Sequence, residues 1–250
     1  MISLKTAYYY ILAVKINLTK VFKKIYFTTS LYKRSLATRI PNQFLFFPNP
    51  FLMSSFSKYK KFAFQIDNLD PNKFWDQDYS SKEKKELHNF LWLSSIDRKD
   101  NASTLRKIIS LWNVKNLKYR SLIWETSVIS KRIISWILNA DIILKNSNFD
   151  FKKSFIESLV IQTNHIRKNF KYEIDNQKKI EVITAILLFD LVFKEYEKNF
   201  EYSLRELEKL IINFFDDDGF PLTRSPHDLL HYAKYFLLIK EVIKDAQKYV

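Results

Sequence analysis

Residues 216–228 read DDDGFPLTRSPHD and contain the only glycine and two of the six prolines among 250 residues. A run of acidic residues that ends in glycine is typical of a helix that stops at a residue able to adopt positive φ. Ser225 followed by Pro226, with Asp228 in the next turn, predicts the N-cap and first turn of a last helix that continues to Tyr249. Residues of these types are also common wherever one helix ends and another begins. By itself the stretch therefore predicts a boundary between two helices and no catalytic or binding role.

The scarcity of glycine extends this helical prediction to the rest of the chain. Soluble proteins contain roughly 7% glycine, whereas this chain has one glycine and 47% hydrophobic residues. It is long enough to bury the core of one large domain. It lacks the glycines needed for the tight turns of an all-β fold and for the phosphate loops of Rossmann and P-loop proteins. It also has no cysteine, which excludes disulfides, thiolate catalysis and cysteine-ligated zinc.

Histidine offers little for a metal site. The chain has four histidines, which are His88, His165, His227 and His231. Only His227 and His231 have a metal-like i, i+4 spacing, and Asp228 follows the first of them instead of the glutamate found in metalloprotease helices. We therefore predict no metal site and no cofactor.

Positive charge is concentrated near the N-terminus. Residues 1–70 hold 11 of the 41 Lys and Arg residues but only Asp67 and Asp70, so they carry +9 of the net charge of +14. Such a segment suits nucleic acid, an anionic membrane surface or an acidic polysaccharide. A compositional bias toward Lys, Ile, Asn and Phe along the whole chain is the alternative explanation.

Within this basic segment the pattern predicts a helical arm followed by a linker. Residues 4–37 are amphipathic, with aromatic side chains on one side. Residues 41–71 contain several prolines and an alternating set of apolar residues, Phe62, Phe64 and Ile66. We expect an irregular linker there, with one or two short strands.

A short apolar run at residues 7–14 bears on location. It is too short to span a bilayer, so no transmembrane segment is predicted. No convincing cleavage site for a signal peptide follows it. The location, periplasmic or cytoplasmic, therefore stays open.

From about Ser80 onward the sequence predicts helices joined by short connections. Apolar residues recur at helical spacing in the segments Ser80–Trp92, Ala102–Trp112, Thr126–Leu144, Phe151–Phe170, Lys178–Phe200, Ser203–Phe215 and Pro226–Tyr249. Connections such as Lys145–Asp150 and Glu201–Tyr202 are short, so we expect neighbouring helices to pack antiparallel. The periodicity does not decide between a bundle, an open solenoid and a curved toroid.

A set of motifs in this helical part carries a resemblance to a known family. The motifs are Phe90-Leu91-Trp92-Leu93, Asp97, Trp112, Trp124, Val128, Lys131-Arg132-Ile133, Trp136-Ile137, Asp218-Gly219-Phe220 and Arg224-Ser225-Pro226. In this order they resemble the N-terminal helical domain of the heparinase II/III polysaccharide lyases, over residues 75–250. The resemblance implies antiparallel helical hairpins that form an incomplete (α/α) toroid. It also implies a C-terminal antiparallel β-sandwich in full-length members, which this sequence does not include.

The resemblance implies a reaction as well. Members of the family cleave uronic-acid polysaccharides by β-elimination: a base removes the C5 proton, the bond from C4 to the leaving oxygen breaks, and a hydrogen-bond donor neutralises the carboxylate. In the family an asparagine at the start of a long helix touches the carboxylate. Asn176 falls at that place, although Gln177 stands where members have histidine. Helix capping by Asn176 or by Asp175 is the alternative role.

The second family motif places a catalytic tyrosine shortly after Ser-Pro. Asp228 occupies that place here, and its carboxylate repels an anionic sugar. The neighbouring His227 becomes the candidate base. Arg224 is the candidate ligand for a substrate carboxylate or sulfate, unless it pairs with the acids at 216–218. Trp124 is the candidate for sugar stacking, with core packing as the alternative.

Two functions from different classes follow from these observations. The first is the toroid half of a polysaccharide lyase that binds acidic polysaccharide and has little or no activity without a separate or downstream β-sandwich domain. The second is a non-enzymatic helical scaffold that binds nucleic acid or an anionic membrane surface through residues 1–70. The resemblance favours the polysaccharide over nucleic acid as the partner.

Overall fold

The computed structural model of the protein describes residues 21–57, 71, 73–75, 78–95 and 102–247, together with positions 9, 14 and 18. These residues are mainly helical and contain no strand, which confirms the mainly α class. The α-helices are α1 (Ser30–Leu36), α2 (Ser54–Ser57), α3 (Ser81–His88), α4 (Ala102–Asn116), α5 (Thr126–Leu138), α6 (Ala140–Leu144), α7 (Phe149–Asn169), α8 (Asn176–Val192), α9 (Glu197–Phe214) and α10 (Pro226–Asp245). Short 3-10 helices cover Pro50–Met53, Leu91–Ser95, Phe170–Tyr172 and Lys194–Tyr196, and residues 21–28 are also helical.

Helix α8 is the centre of the molecule. Its N-cap is Asp175, whose carboxylate accepts the Lys178 backbone N–H at 3.1 Å. From Ile180 to Val192 every residue of α8 is buried, because the helix packs against α5, α7, α9 and α10. A helix buried on all sides is apolar nearly throughout. Its acidic side chains therefore need partners inside the core.

Asp190 finds such partners on two neighbouring helices. Its carboxylate accepts hydrogen bonds from the Arg167 guanidinium of α7 at 2.5 Å and from the Ser203 hydroxyl of α9 at 2.8 Å. Burial raises the pKa of Asp190, and the Arg167 charge opposes that rise. The ion pair joins α7, α8 and α9 at one level of the core.

The tryptophans at positions 92, 112, 124 and 136 are all buried in the core, and three of them pack together. Trp92, Trp112 and Trp136 are fully buried around Phe90, and the Trp112 and Trp136 rings meet edge to face with centroids 5.4 Å apart. The Arg132 guanidinium lies 4.3 Å from the Trp112 ring centroid and has no carboxylate partner among the described residues. Its hydrogen bonds go to a glutamine amide oxygen and to backbone carbonyls.

The described part of the predicted arm and linker packs on this helical body. The Tyr32 hydroxyl lies 2.8 Å from His165 Nδ1 on α7, and the Asn164 amide donates to the Leu36 carbonyl at 2.7 Å. Further along, the Leu45 N–H donates to the Val192 carbonyl at 2.9 Å. Residues 30–57 thus share the core with the helices. The strands predicted around residues 62–66 lie outside the described residues.

The glycine turn has the predicted form with one shift. Helix α9 ends at Phe214, so the three acids lie in the turn and not at the end of the helix. Gly219 has a φ of +80°, and the Asp216 carboxylate accepts the Phe220 N–H at 2.8 Å. The Ser225 hydroxyl accepts the Asp228 N–H at 3.3 Å as the N-cap of α10, which confirms the predicted helix start.

Some predicted helix boundaries are wrong. The connection predicted at Glu201–Tyr202 lies inside α9, and the break falls at Phe193, where the backbone is extended. The segment predicted as one helix over Thr126–Leu144 is interrupted at Asn139. No helix in the described part of the chain is long and apolar enough to cross a membrane. The closure of the hairpins into a toroid stays a prediction.

Candidate functional site

The first turns of α8 and α10 meet and form a shallow cleft. The Gln177 side-chain amide nitrogen donates to Asp228 Oδ1 at 2.6 Å and lies 3.4 Å from His227 Nδ1. The cleft has a volume of about 590 Å³. Its lining residues are Glu173, Ile174, Asp175, Asn176, Gln177, Thr223, Asp228 and Tyr232. Two segments that are distant in the sequence are therefore side by side.

Asn176 is one of the residues that line this cleft. It is the first residue of α8, and the capping role belongs to Asp175. The Asn176 side chain is exposed and has no hydrogen-bond partner among the described residues. Its amide is therefore available to a ligand.

His227 lies beside the cleft, next to the Gln177 side chain, and is not one of the residues that line it. Its side chain is 80% exposed, and its Nδ1 lies 3.7 Å from Asp228 Oδ1. Hydrogen bonds from Thr223 and Gln177 lower the pKa of Asp228, so this carboxylate is ionised at neutral pH. The cleft lining thus contains three acidic residues, Glu173, Asp175 and Asp228, and the accessible imidazole lies beside it.

Arg224 follows Thr223, which lines the cleft. Its backbone has a left-handed conformation that residues other than glycine rarely adopt. Its φ is +54°, and its Nη1 forms an ion pair with Asp216 Oδ2 at 2.7 Å. The ion pair with the acids at 216–218, which is the alternative to substrate binding by Arg224, is therefore present. The side chain is still 66% exposed, and the other guanidinium nitrogens can reach a ligand.

Trp124 does not line the cleft. Its side chain is 3% exposed, and its indole N–H donates to the Asn116 carbonyl at 3.0 Å. It forms one wall of a separate aromatic pocket of about 240 Å³. The other walls include Phe27, Tyr32 and Tyr119, and the lining also contains Thr28, Thr29, Ser30, Lys33 and Lys118.

The aromatic pocket and the cleft are linked through residues 124–126. Two residues after Trp124, the Thr126 hydroxyl donates to Glu173 Oε2 at 2.6 Å, and Glu173 lines the cleft. Two residues of extended chain span at most about 7 Å. The pocket and the cleft therefore lie near each other at this part of the molecule.

Glu181 lies one turn below the cleft and was missed by the sequence analysis. Its carboxylate is bound by Lys131 Nζ at 2.9 Å and by the Ser127 hydroxyl at 2.5 Å, both on α5. From α10, His231 Nε2 lies 3.6 Å away, and the Tyr235 side chain is near enough for the Glu181 charge to contribute to the rise of its pKa, whose main cause is burial. A single acid within an apolar helix was the available signal. This cluster joins α5, α8 and α10 directly beneath the helix ends that form the cleft.

Burial sets the protonation of the cluster. It raises the pKa of Tyr235 well above its usual value and lowers the pKa of His231, so both are neutral at neutral pH. His231 Nε2 lies near Glu181 within the cluster, whereas His227 is exposed beside Asp228. Within the described ranges, no group of three or more His, Cys, Asp or Glu residues has the geometry to hold a metal ion.

No family model, no curated protein and no solved structure matches the chain. The function therefore has to be argued from the chemistry of the cleft, the aromatic pocket and the residues that hold them. The family resemblance contributes the roles proposed for Asn176 and His227.

Proposed function

We propose that this protein is the helical part of a heparinase II/III-like polysaccharide lyase and that it binds uronic-acid polysaccharide at the cleft. The observation that carries the proposal is the contact between the starts of α8 and α10. The Gln177 amide, next to Asn176 in the sequence, contacts both His227 and Asp228, so the candidate base lies beside the cleft that Asn176 lines. This contact supports the proposal, because β-elimination next to a uronate carboxyl group uses a carboxylate-binding group and a base near the same sugar ring.

In this proposal each group has a stated role. The Asn176 amide donates to the uronate carboxyl group and stabilises the charge that develops on it. The exposed His227 imidazole faces the C5 proton as the base. Arg224 binds a carboxylate or sulfate at the edge of the cleft through its free nitrogens.

The same chemistry limits turnover by this chain alone. Asp228 stands where the family has its tyrosine, and it stays ionised because Thr223 and Gln177 donate to it. A fixed carboxylate weakens the approach of an anionic sugar and cannot donate a proton to the leaving oxygen. We therefore propose binding with little or no elimination, and a β-sandwich domain as the partner that completes the site.

The aromatic pocket extends the binding surface. Aromatic walls suit the apolar C–H faces of a sugar ring, and the hydroxyl and ammonium groups of the lining suit its hydroxyl and carboxylate groups. Lys33 and Lys118 supply the positive charges, which the cleft itself lacks. One chain of linked sugars would then occupy both places.

Calorimetric titration tests this proposal. The ligands are an unsulfated polyuronate oligosaccharide, a sulfated one and a neutral glucan of equal length. We expect the uronates to bind and the glucan not to bind. Asn176→Ala and His227→Ala should each weaken binding by roughly tenfold, about the contribution of one hydrogen bond to a charged group.

The matched control is Asn42→Ala, which changes an exposed asparagine outside the cleft and should leave the affinity unchanged. Uronate binding that is insensitive to both cleft substitutions would contradict the proposal. Tighter binding to a nucleic acid duplex or to anionic vesicles, equally insensitive to them, would favour the scaffold alternative.

A further inference from the structure

A groove separate from the cleft and the aromatic pocket runs between the end of α7, α8 and α9. Its volume is about 360 Å³. Its floor consists of the buried side chains of Ile183, Ile186 and Leu210, and Phe170 and Tyr202 contribute to its walls. An apolar cavity of about 150 Å³ accommodates a benzene ring. The groove is therefore large enough and apolar enough for an aromatic side chain.

The rim of the groove is positively charged. Lys209 is paired with Glu206 at 2.7 Å. Lys171 and Lys179 also line the groove and contact aromatic rings, but neither has a carboxylate partner among the described residues. The groove thus offers two unpaired ammonium groups beside an apolar floor.

The turn after α9 spans residues 216–222 and carries negative charge, opposite to that of the groove rim. We call it the acidic loop. Asp217 and Asp218 are exposed and form no ion pair within the described ranges. Phe220 is 52% exposed. The Asp216 carboxylate holds the loop in shape by accepting the backbone N–H groups of residues 218 and 220 at 3.1 and 2.8 Å. The loop therefore presents two carboxylates and an aromatic ring in a preformed arrangement, which lowers the cost of binding.

We propose that the groove binds the acidic loop of a second copy of this chain. Phe220 of one copy lies on the apolar floor of the groove in the other copy. The carboxylates of Asp217 and Asp218 in the same loop pair with Lys171 and Lys179 of that groove. The loop supplies both the charge and the apolar ring.

The position of the groove and the loop makes the assembly a closed dimer. Asn213 lines the groove, and the loop begins three residues later, at a distance of at most about 11 Å along the chain. The loop therefore begins close to the groove of its own chain. In the proposed dimer, a two-fold axis between two copies places each loop in the opposite groove at the same time.

Charge reversal tests the proposal in analytical ultracentrifugation of the full chain. The wild type should form a dimer. Lys171→Glu with Lys179→Glu, and separately Asp217→Lys with Asp218→Lys, should each raise the dimer dissociation constant by roughly tenfold or more, because like charges then face each other. Phe220→Ala should weaken the dimer without changing any charge. All of these side chains are at least partly exposed, and far-ultraviolet circular dichroism checks that each variant stays helical.

The decisive step is to mix the two charge-reversed variants. In a mixed dimer each acidic groove meets a basic loop and each basic groove meets an acidic loop, so the mixture should dimerise although neither variant does so alone. A wild type that is monomeric at every concentration overturns the proposal. So does a dimer that survives both reversals, or a mixture that stays monomeric.

Discussion

Replacing Glu181 by alanine tests the cluster that fixes α5, α8 and α10 beneath the cleft. The carboxylate is 4% exposed and binds the ammonium group of Lys131, which is 25% exposed. Breaking a buried ion pair costs about 3–5 kcal/mol, and a lost partner for a partly buried hydroxyl such as that of Ser127 costs about 1–3 kcal/mol. Because Lys131 can turn partly toward water, we expect a total loss of about 3–4 kcal/mol. This is a large part of the stability of a typical domain, about 5–15 kcal/mol.

The assay is urea unfolding followed by tryptophan fluorescence, with Glu201→Ala as the matched control. Glu201 is an exposed acid on α9, and its replacement should change the free energy of unfolding by less than about 0.5 kcal/mol. Replacing Glu181 and Lys131 together by methionine should cost less than Glu181→Ala, because no unpaired charge is left in the core. A loss below about 1 kcal/mol for Glu181→Ala would refute this account of the cluster.

Three further predictions concern stability. Burial lowers the pKa of His88 and of His165 to about 3, so below pH 6.5 only the unfolded chain takes up these protons. Unfolding titrations should show stability falling by about 1.4 kcal/mol per pH unit for each histidine as the pH drops from about 6 toward 3. Arg132→Met should destabilise the protein by about 3 kcal/mol in thermal or urea unfolding, because a glutamine amide and two backbone carbonyls lose their donor; a neutral effect would contradict the hydrogen bonds assigned to it. Gly219→Ala should cost about 1 kcal/mol, since its φ of +80° is unfavourable for alanine and no atom lies within 4 Å of the added methyl group.

The sequence predicted those parts of the fold that depend on local chemistry. The Ser225 cap and the positive φ of Gly219 follow from the residue types alone. The break at Phe193 could not be predicted in this way. It depends on long-range contacts, in which Phe44 packs 4.5 Å from Phe193 between ring centroids and the Leu45 N–H takes the last carbonyl of α8. The predicted break at Glu201–Tyr202 rested only on the polarity of this pair. Packing of α9 against α8 and the rest of the core keeps the helix continuous there.

The site was predicted only in part for a similar reason. The resemblance named Asn176 and His227, and the contact of Gln177 with His227 depends on how α8 packs on α10. Trp124 was expected at the same site, but a tryptophan on a mainly apolar segment is more often a core residue, and the structure places it in the neighbouring pocket. The role of Glu181 could not be predicted from the sequence, because its partners come from two other helices.

The most direct test of the proposed function is a crystal structure of the protein with a short uronate oligosaccharide. The account predicts a sugar carboxylate within hydrogen-bond distance of the Asn176 amide, His227 facing the C5 hydrogen, and the next sugar units directed toward the pocket formed by Tyr119 and Trp124. An oligosaccharide bound elsewhere on the helical body, with the cleft empty, would contradict it.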